Sequence, residues 1–91
     1  MNKADRTLKT VSLSTSREIL RLLARKPMTV RELRRKSKRL RNRVSFYKSL
    51  NKMVSLDIVR RYHNPEVRGF TYELSKTKII IDLRGGKVEI V

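Results

Sequence analysis

Between Arg31 and Arg43 the chain sets eight cations in thirteen positions: Arg31, Arg34, Arg35, Lys36, Lys38, Arg39, Arg41 and Arg43. A single acid, Glu32, stands among them. Guanidinium forks hydrogen-bond phosphate oxygens, and they match the O6 and N7 acceptors of guanine bidentately. Such a density is hard to hold on a compact domain unless a polyanion neutralises it. The stretch from Thr29 to Val54 therefore reads as a nucleic-acid face, and the rest of the chain reads as its support.

Other chemistries find little to work with. The eight acids form no paired constellation, and there is no cysteine for a disulfide, a thiolate nucleophile or a cysteine-liganded metal. Ser45-x-x-Lys48 and Ser49-x-x-Lys52 fit the S-x-x-K pattern of penicillin-recognising enzymes, but the partner motifs of that chemistry are missing. His63 is the only histidine and has no second ligand cluster beside it. Gly85-Gly86 is followed by neither a helix nor Lys-Ser/Thr, so no phosphate loop is expected. The chain is read as a binding protein, not an enzyme, with no cofactor and no metal.

The whole-chain balance agrees. Its formal charge of +16 and pI near 11.3 favour nucleic acid as partner. A membrane surface fits worse, because no broad apolar face with aromatic anchors opposes the basic one. The longest apolar run, Ile79-Ile80-Ile81, is far short of the roughly 20 residues that span a bilayer. The start, MNKADRTLKTVSL, lacks the apolar run and cleavage site of a secretory signal, so a cytoplasmic, nucleoid-associated location is expected.

The elements that must hold the basic stretch are marked by their punctuation. Residues 1–13 offer only Leu8, Val11 and Leu13 as apolar positions and read as a frayed, mobile start followed by an extended or short helical arm that packs at its end. Thr15 with Glu18 forms a capping-box pattern, and Ile19, Leu20, Leu22 and Leu23 give an apolar helical stripe that Pro27 stops near Lys26. Thr29 with Glu32 repeats the box and opens a helix running to about Lys36, after which Leu40 is expected to plug a turn. Asn42 is a good N-cap for a third helix over about 43–54, with Phe46, Tyr47, Leu50, Met53 and Val54 inward. Ser45, Lys48, Lys52 and Ser55 then face out, with Val44, Ser49 and Asn51 on the flanks.

Two hairpins follow. Residues 58–63 and 70–74 read as strands joined by the turn-rich tip 64–69, with Phe70, Tyr72 and Leu74 inward. Residues 78–84 and 87–91 flank Gly85-Gly86, a pair suited to a two-residue type I′ loop. That register sets Leu83 opposite Val88, Ile81 opposite Ile90, and Asp82 opposite Glu89, a like-charge pair softened by Lys87 and Arg84 on the diagonals. So apolar a tail is expected to be buried, on its own domain or on a second copy.

The order helix, helix, turn, helix, hairpin resembles the winged helix-turn-helix domain of small transcription regulators, the ArsR/MarR-like proteins of archaea and bacteria. Pro27-Met28-Thr29-Val30-Arg31-Glu32-Leu33 looks like that family's start of the second helix. Leu50-x-x-Met53 and Leu56-Asp57-Ile58-Val59-Arg60-Arg61 are similar to its helix-to-wing junction, and Gly69-Phe70-Thr71-Tyr72-Glu73-Leu74 to its returning wing strand. The resemblance covers about residues 15–75. Asp57 departs from the glycine usual there, so an aspartate must take the left-handed turn. Beyond Leu74 the family often continues into a dimerisation helix, where this chain has its second hairpin.

The expected fold is α+β: a winged helix-turn-helix of three helices and a β-hairpin wing over residues 14–75, with the arm 1–13 before it and the additional C-terminal β-hairpin 76–91 after it. The resemblance implies a DNA-binding transcription regulator, with the third helix in the major groove and the 58–74 wing on the backbone or in the minor groove. The expected contacts are Arg41 and Arg43 at the helix start, Ser45, Lys48 and Ser49 on the reading face, and Lys52 further along on phosphate. Arg34, Arg35, Lys38 and Arg39 would position the backbone, and Arg61, His63 and Arg68 would serve the wing. Double-stranded DNA is the expected partner, with a homodimer as the expected assembly. A non-specific architectural DNA-binding protein and an RNA- or ribosome-associated module stay open.

Overall fold

Side-chain punctuation sets most of the element boundaries in the computed structural model, which describes residues 3–91. The chain runs α1 (Lys3–Ser12), α2 (Ser14–Leu23), β1 (Met28–Thr29), α3 (Val30–Lys36), a 3-10 turn (Lys38–Leu40), α4 (Arg43–Ser55), β2 (Val59–His63), β3 (Phe70–Leu74), β4 (Ile79–Asp82) and β5 (Lys87–Ile90). It is a small α+β domain with four α-helices and two antiparallel sheets, ordered β1-β3-β2 and β4-β5. No helix among the described residues is long and apolar enough to cross a membrane.

Three local signals act as the sequence leads one to expect. The Thr29 hydroxyl accepts from the Glu32 amide at 3.2 Å while the Glu32 carboxylate accepts from the Thr29 amide at 3.3 Å, so the box at the start of α3 is closed. The Asn42 side chain accepts from the Ser45 amide at 2.9 Å and starts α4. Leu40, fully buried on the 3-10 turn, fills the corner between α3 and α4.

The end of α4 is a Schellman arrangement. The Ile58 amide donates to the Met53 carbonyl at 3.0 Å and the Asp57 amide to the Val54 carbonyl at 3.1 Å, with Met53 and Ile58 both buried. Asp57 sits at φ 61, the left-handed conformation that its position demands. An L-residue is strained there by about 1–2 kcal/mol, so Asp57→Gly is expected to raise stability by about 0.5–1 kcal/mol after its greater unfolded-state entropy is counted. Urea unfolding of both proteins checks this, and a lower midpoint for the variant would contradict it.

Five expectations are corrected, while the arm takes the helical one of its two expected forms: α1 lies against α2, α4 and β5, and it buries Thr7 and Thr10. Its first two residues lie outside the described ones. Because α1 runs almost directly into α2, the N-cap of α2 is Leu13, with no side-chain cap. Thr15 falls inside the first turn, and Glu18, nearly buried, pairs with Arg21 instead of closing a box. The helix also ends at Leu23, with residues 24–26 already turning before Pro27.

Phe70, expected inward, is 46% exposed, while Thr71 is buried because β3 is the middle strand, flanked by β1 and β2. The core on that face stops at Tyr72, and Phe70 stands two pairs further toward the tip.

The C-terminal hairpin is slipped by two residues from the expected register. The observed pairs are Ile79 with Ile90, Ile80 with Glu89, Ile81 with Val88, and Asp82 with Lys87. Asp82 thus meets an opposite charge instead of Glu89. The loop is residues 83–86, closed by the Gly86 amide on the Asp82 carbonyl at 2.8 Å, with Gly86 at φ 65. The Asp82 carboxylate takes the Arg84 amide at 2.9 Å and the Gly85 amide at 3.3 Å. An aspartate able to hold that loop, together with the relieved charge clash, favours this register over the glycine-pair turn. Nor is the hairpin buried: Ile80 and Ile81 are each 48% exposed and Leu83 is 91% exposed.

Candidate nucleic-acid interface

The core decides which side of α4 is free. Phe46, Leu50 and Met53 are fully buried, and Ser49 is 4% exposed beside them. The opposite side holds Val44, Ser45, Lys48, Asn51, Lys52 and Ser55, all exposed. Val44, Lys48, Asn51 and Ser55 stand at i, i+4, i+7 and i+11, one continuous stripe along the helix. No other part of the described chain covers that stripe. Every side chain on it except lysine is short, so the helix presents a thin ridge.

Cations gather at the N-terminal end of that ridge. Arg41 and Arg43 are exposed on either side of Asn42, and the Arg43 guanidinium lies over the Tyr47 ring at 5.9 Å from its centroid. Next to Tyr47 opens a groove of about 1180 Å³ between α3, the start of α4 and the β2–β3 tip. Its lining includes five arginines, Arg31, Arg34, Arg35, Arg41 and Arg68, drawn from three separate parts of the chain, with Glu32 among them. Phe70 lines it too.

The β2–β3 hairpin keeps its two faces distinct. Val59, Arg61 and His63 pair with Leu74, Tyr72 and Phe70, so these six side chains share the face that becomes the core at Tyr72 and Val59. Beyond the core, the Arg61 guanidinium stacks over Phe70 at 4.7 Å, and His63 meets the same ring edge-on at 6.4 Å. The other face carries the Arg60–Glu73 ion pair, which leaves Arg60 engaged. At the tip the Asn64 side chain accepts from the Glu66 amide at 3.0 Å, and Gly69 at φ 102 makes the return that places Arg68 over the groove.

Of the residues expected on the interface, the structure brings Arg35, Arg41, Arg43, Ser45, Lys48, Lys52, Arg61, His63 and Arg68 to the exposed ridge, the groove or the hairpin face beside it. Lys38 is exposed on the 3-10 turn. Three residues are placed otherwise. Ser49 is buried, since its flank of α4 turns toward the core. Arg34 is half-buried and committed: its Nε donates to the Leu40 carbonyl at 3.2 Å and its Nη2 to the Arg41 carbonyl at 3.0 Å, with the guanidinium over Phe46. It ties the turn to α3 and leaves little of itself for a ligand. Arg39 leans toward α2, lining a small hollow with Arg17, Glu18 and Arg21.

Sequence reasoning left Val44 and Asn51 on the flanks, counted Arg31 only within the basic stretch, and placed Phe70 inward. Val44, 77% exposed in the first turn of α4, is the least expected of these for an apolar side chain. Among the described residues no group of three or more His, Asp or Glu side chains could hold a metal. The chain matches no protein-family model and no curated protein sequence.

Proposed function

We propose that the chain binds double-stranded DNA as a winged helix-turn-helix protein and regulates transcription. The observation that carries this is the uncovered ridge of α4, flanked at its N-terminus by Arg41 and Arg43 and bordered by a groove lined with five arginines. The major groove admits one α-helix, and a ridge of short side chains lets the backbone approach the bases. In this reading α2, α3 and α4 are the three helices, β1-β3-β2 is the small sheet, and the β2–β3 hairpin is the wing.

Four ridge residues then have a matching base edge. The Val44 side chain suits a thymine methyl, Asn51 can bond adenine N6 and N7 bidentately, and Ser45 and Lys48 reach acceptors on either strand. Arg35, Lys38, Arg41 and Lys52 grip phosphate, and Arg61 and Arg68 extend that grip from the wing. The Phe70 ring beneath Arg61 stiffens that guanidinium and keeps it beside the groove.

Selection from random duplex DNA at moderate salt tests the reading. One recovered motif should bind at least about 10³-fold tighter than unrelated duplex. Asn51→Ala should relax the preference at one base pair, costing about 1–3 kcal/mol there and little on random DNA. Equal affinity for every duplex would leave a non-specific coating protein, and preference for structured RNA over duplex DNA would overturn the assignment.

A further inference from the structure

The strand β4, with its flanks, carries a charge and hydrogen-bond pattern complementary to itself. In the hairpin, Lys78 exchanges both backbone bonds with Val91, amide to carbonyl at 3.1 and 3.0 Å. By the alternation of an antiparallel ladder, Ile80 and Asp82 also turn their backbone groups toward β5. The amides and carbonyls of Ile79 and Ile81 therefore point away, along the free edge. β5 lies against α1, and β4 has no strand on its other side in the two-stranded sheet. The β4 edge is thus an open template, with Ile80 and Ile81 each 48% exposed on opposite faces of it.

We infer that β4 pairs antiparallel with β4 of a second copy across a two-fold axis at Ile80. Every position then meets a suitable partner. Ile79 stands opposite Ile81 of the second copy, and the outward backbone groups of each exchange bonds. Ile80 stands opposite Ile80, and Lys78 opposite Asp82, twice over by symmetry. The lysine–aspartate pairs fall on the same face as the paired Ile80 side chains, at the non-hydrogen-bonded positions where side chains approach most closely.

The alternatives fit worse. Pairing β5 with itself about Glu89 sets two carboxylates face to face. Nucleic acid is a poor occupant, because residues 78–91 hold three cations (Lys78, Arg84, Lys87) against two acids (Asp82, Glu89), a net +1 within a chain of +16. A second copy meets this one segment with the least repulsion. Pairing makes a four-stranded sheet from two hairpins, and an isolated two-stranded hairpin is marginal in water.

Sedimentation equilibrium at moderate salt tests the interface without nucleic acid. The unmodified chain should dimerise, and Ile80→Lys, which sets two ammonium groups on the axis, should raise the dimer Kd at least about tenfold with unchanged far-UV circular dichroism. Lys78→Glu and Asp82→Lys should each weaken self-association. Mixed together they should form a heterodimer, since every charged pair across the axis is then opposite in sign. If Asp82→Lys disturbs the loop it holds, Ile80→Lys and Lys78→Glu still decide. A chain monomeric at every concentration, or a dimer indifferent to Ile80→Lys and Lys78→Glu, overturns the inference. Binding of Ile80→Lys to a short single-site duplex reads the DNA assignment separately, so either conclusion can fail alone.

Discussion

Raising salt from about 50 to about 200 mM is expected to weaken duplex binding by about 10³- to 10⁵-fold, the loss typical of 6–10 neutralised phosphates. The interface can supply that number. Arg31, Arg35, Lys38, Arg41, Arg43, Lys48, Lys52, Arg61 and Arg68 are all exposed on α3, the turn and the link after it, α4 or the β2–β3 hairpin. Arg34 and Arg39 drop out, the first because it holds the Leu40 and Arg41 carbonyls and the second because it leans to α2. The logarithmic slope of affinity against salt should fall by about 1 in Arg35→Ala. In Arg34→Ala it should stay nearly the same while the turn loosens. The free protein should respond the opposite way, since screening relieves the self-repulsion of +16 charges and raises its melting temperature. Anisotropy titrations of one duplex across a salt series measure the first effect, and thermal unfolding in the same buffers measures the second. A flat salt response would remove phosphate from the list of partners.

How much of this interface could be read beforehand depended on how local its determinants are. The α3–turn–α4 unit rests on contacts within a few residues, Thr29 with Glu32, Ser37 with Arg39 and Asn42 with Ser45, and such contacts leave a plain trace in sequence. The flanks of α4 rest on what covers them. Ser49 and Asn51 look equivalent on a helical projection, yet one is buried and the other free. α1 lies against α4 and hides Thr7 and Thr10, hydroxyl residues that a hydrophobic period does not detect. Without α1 in place, the two flanks cannot be told apart. Arg34 shows the converse. Its charge invites a phosphate, but its bonds reach carbonyls six and seven residues on, a tertiary fact that composition does not carry. The C-terminal hairpin turned on a competition between two loops. Gly85-Gly86 suits the tighter one, but the Asp82 carboxylate bonds two amides of the longer one and meets Lys87 across the ladder.

Phe46→Ala should cost about 3–5 kcal/mol of folding stability, the usual range for a buried phenylalanine. Small domains have only about 5–15 kcal/mol in total, so a large part of the protein's margin would go. Phe46 is the largest fully buried side chain, and it meets Tyr47 edge-on at 5.1 Å. Its ring also lies beneath the Arg34 guanidinium at 5.8 Å, so it braces the residue that bonds the Leu40 and Arg41 carbonyls. The aim of α4 thus depends on an aromatic ring that touches no ligand. Two losses should therefore appear together: a lower urea midpoint, and weaker DNA binding even at temperatures where circular dichroism shows the variant still folded. Val44→Ala is the counterpart. Val44 is 77% exposed, so its stability should change by no more than about 0.5 kcal/mol while the preferred DNA site shifts at one base pair. Should Phe46→Ala leave the urea midpoint in place, the core would not run through α4. Should Val44→Ala lower the midpoint as Phe46→Ala does, the outward ridge would be a buried face. In either case the direction in which α4 is presented would have to be redrawn.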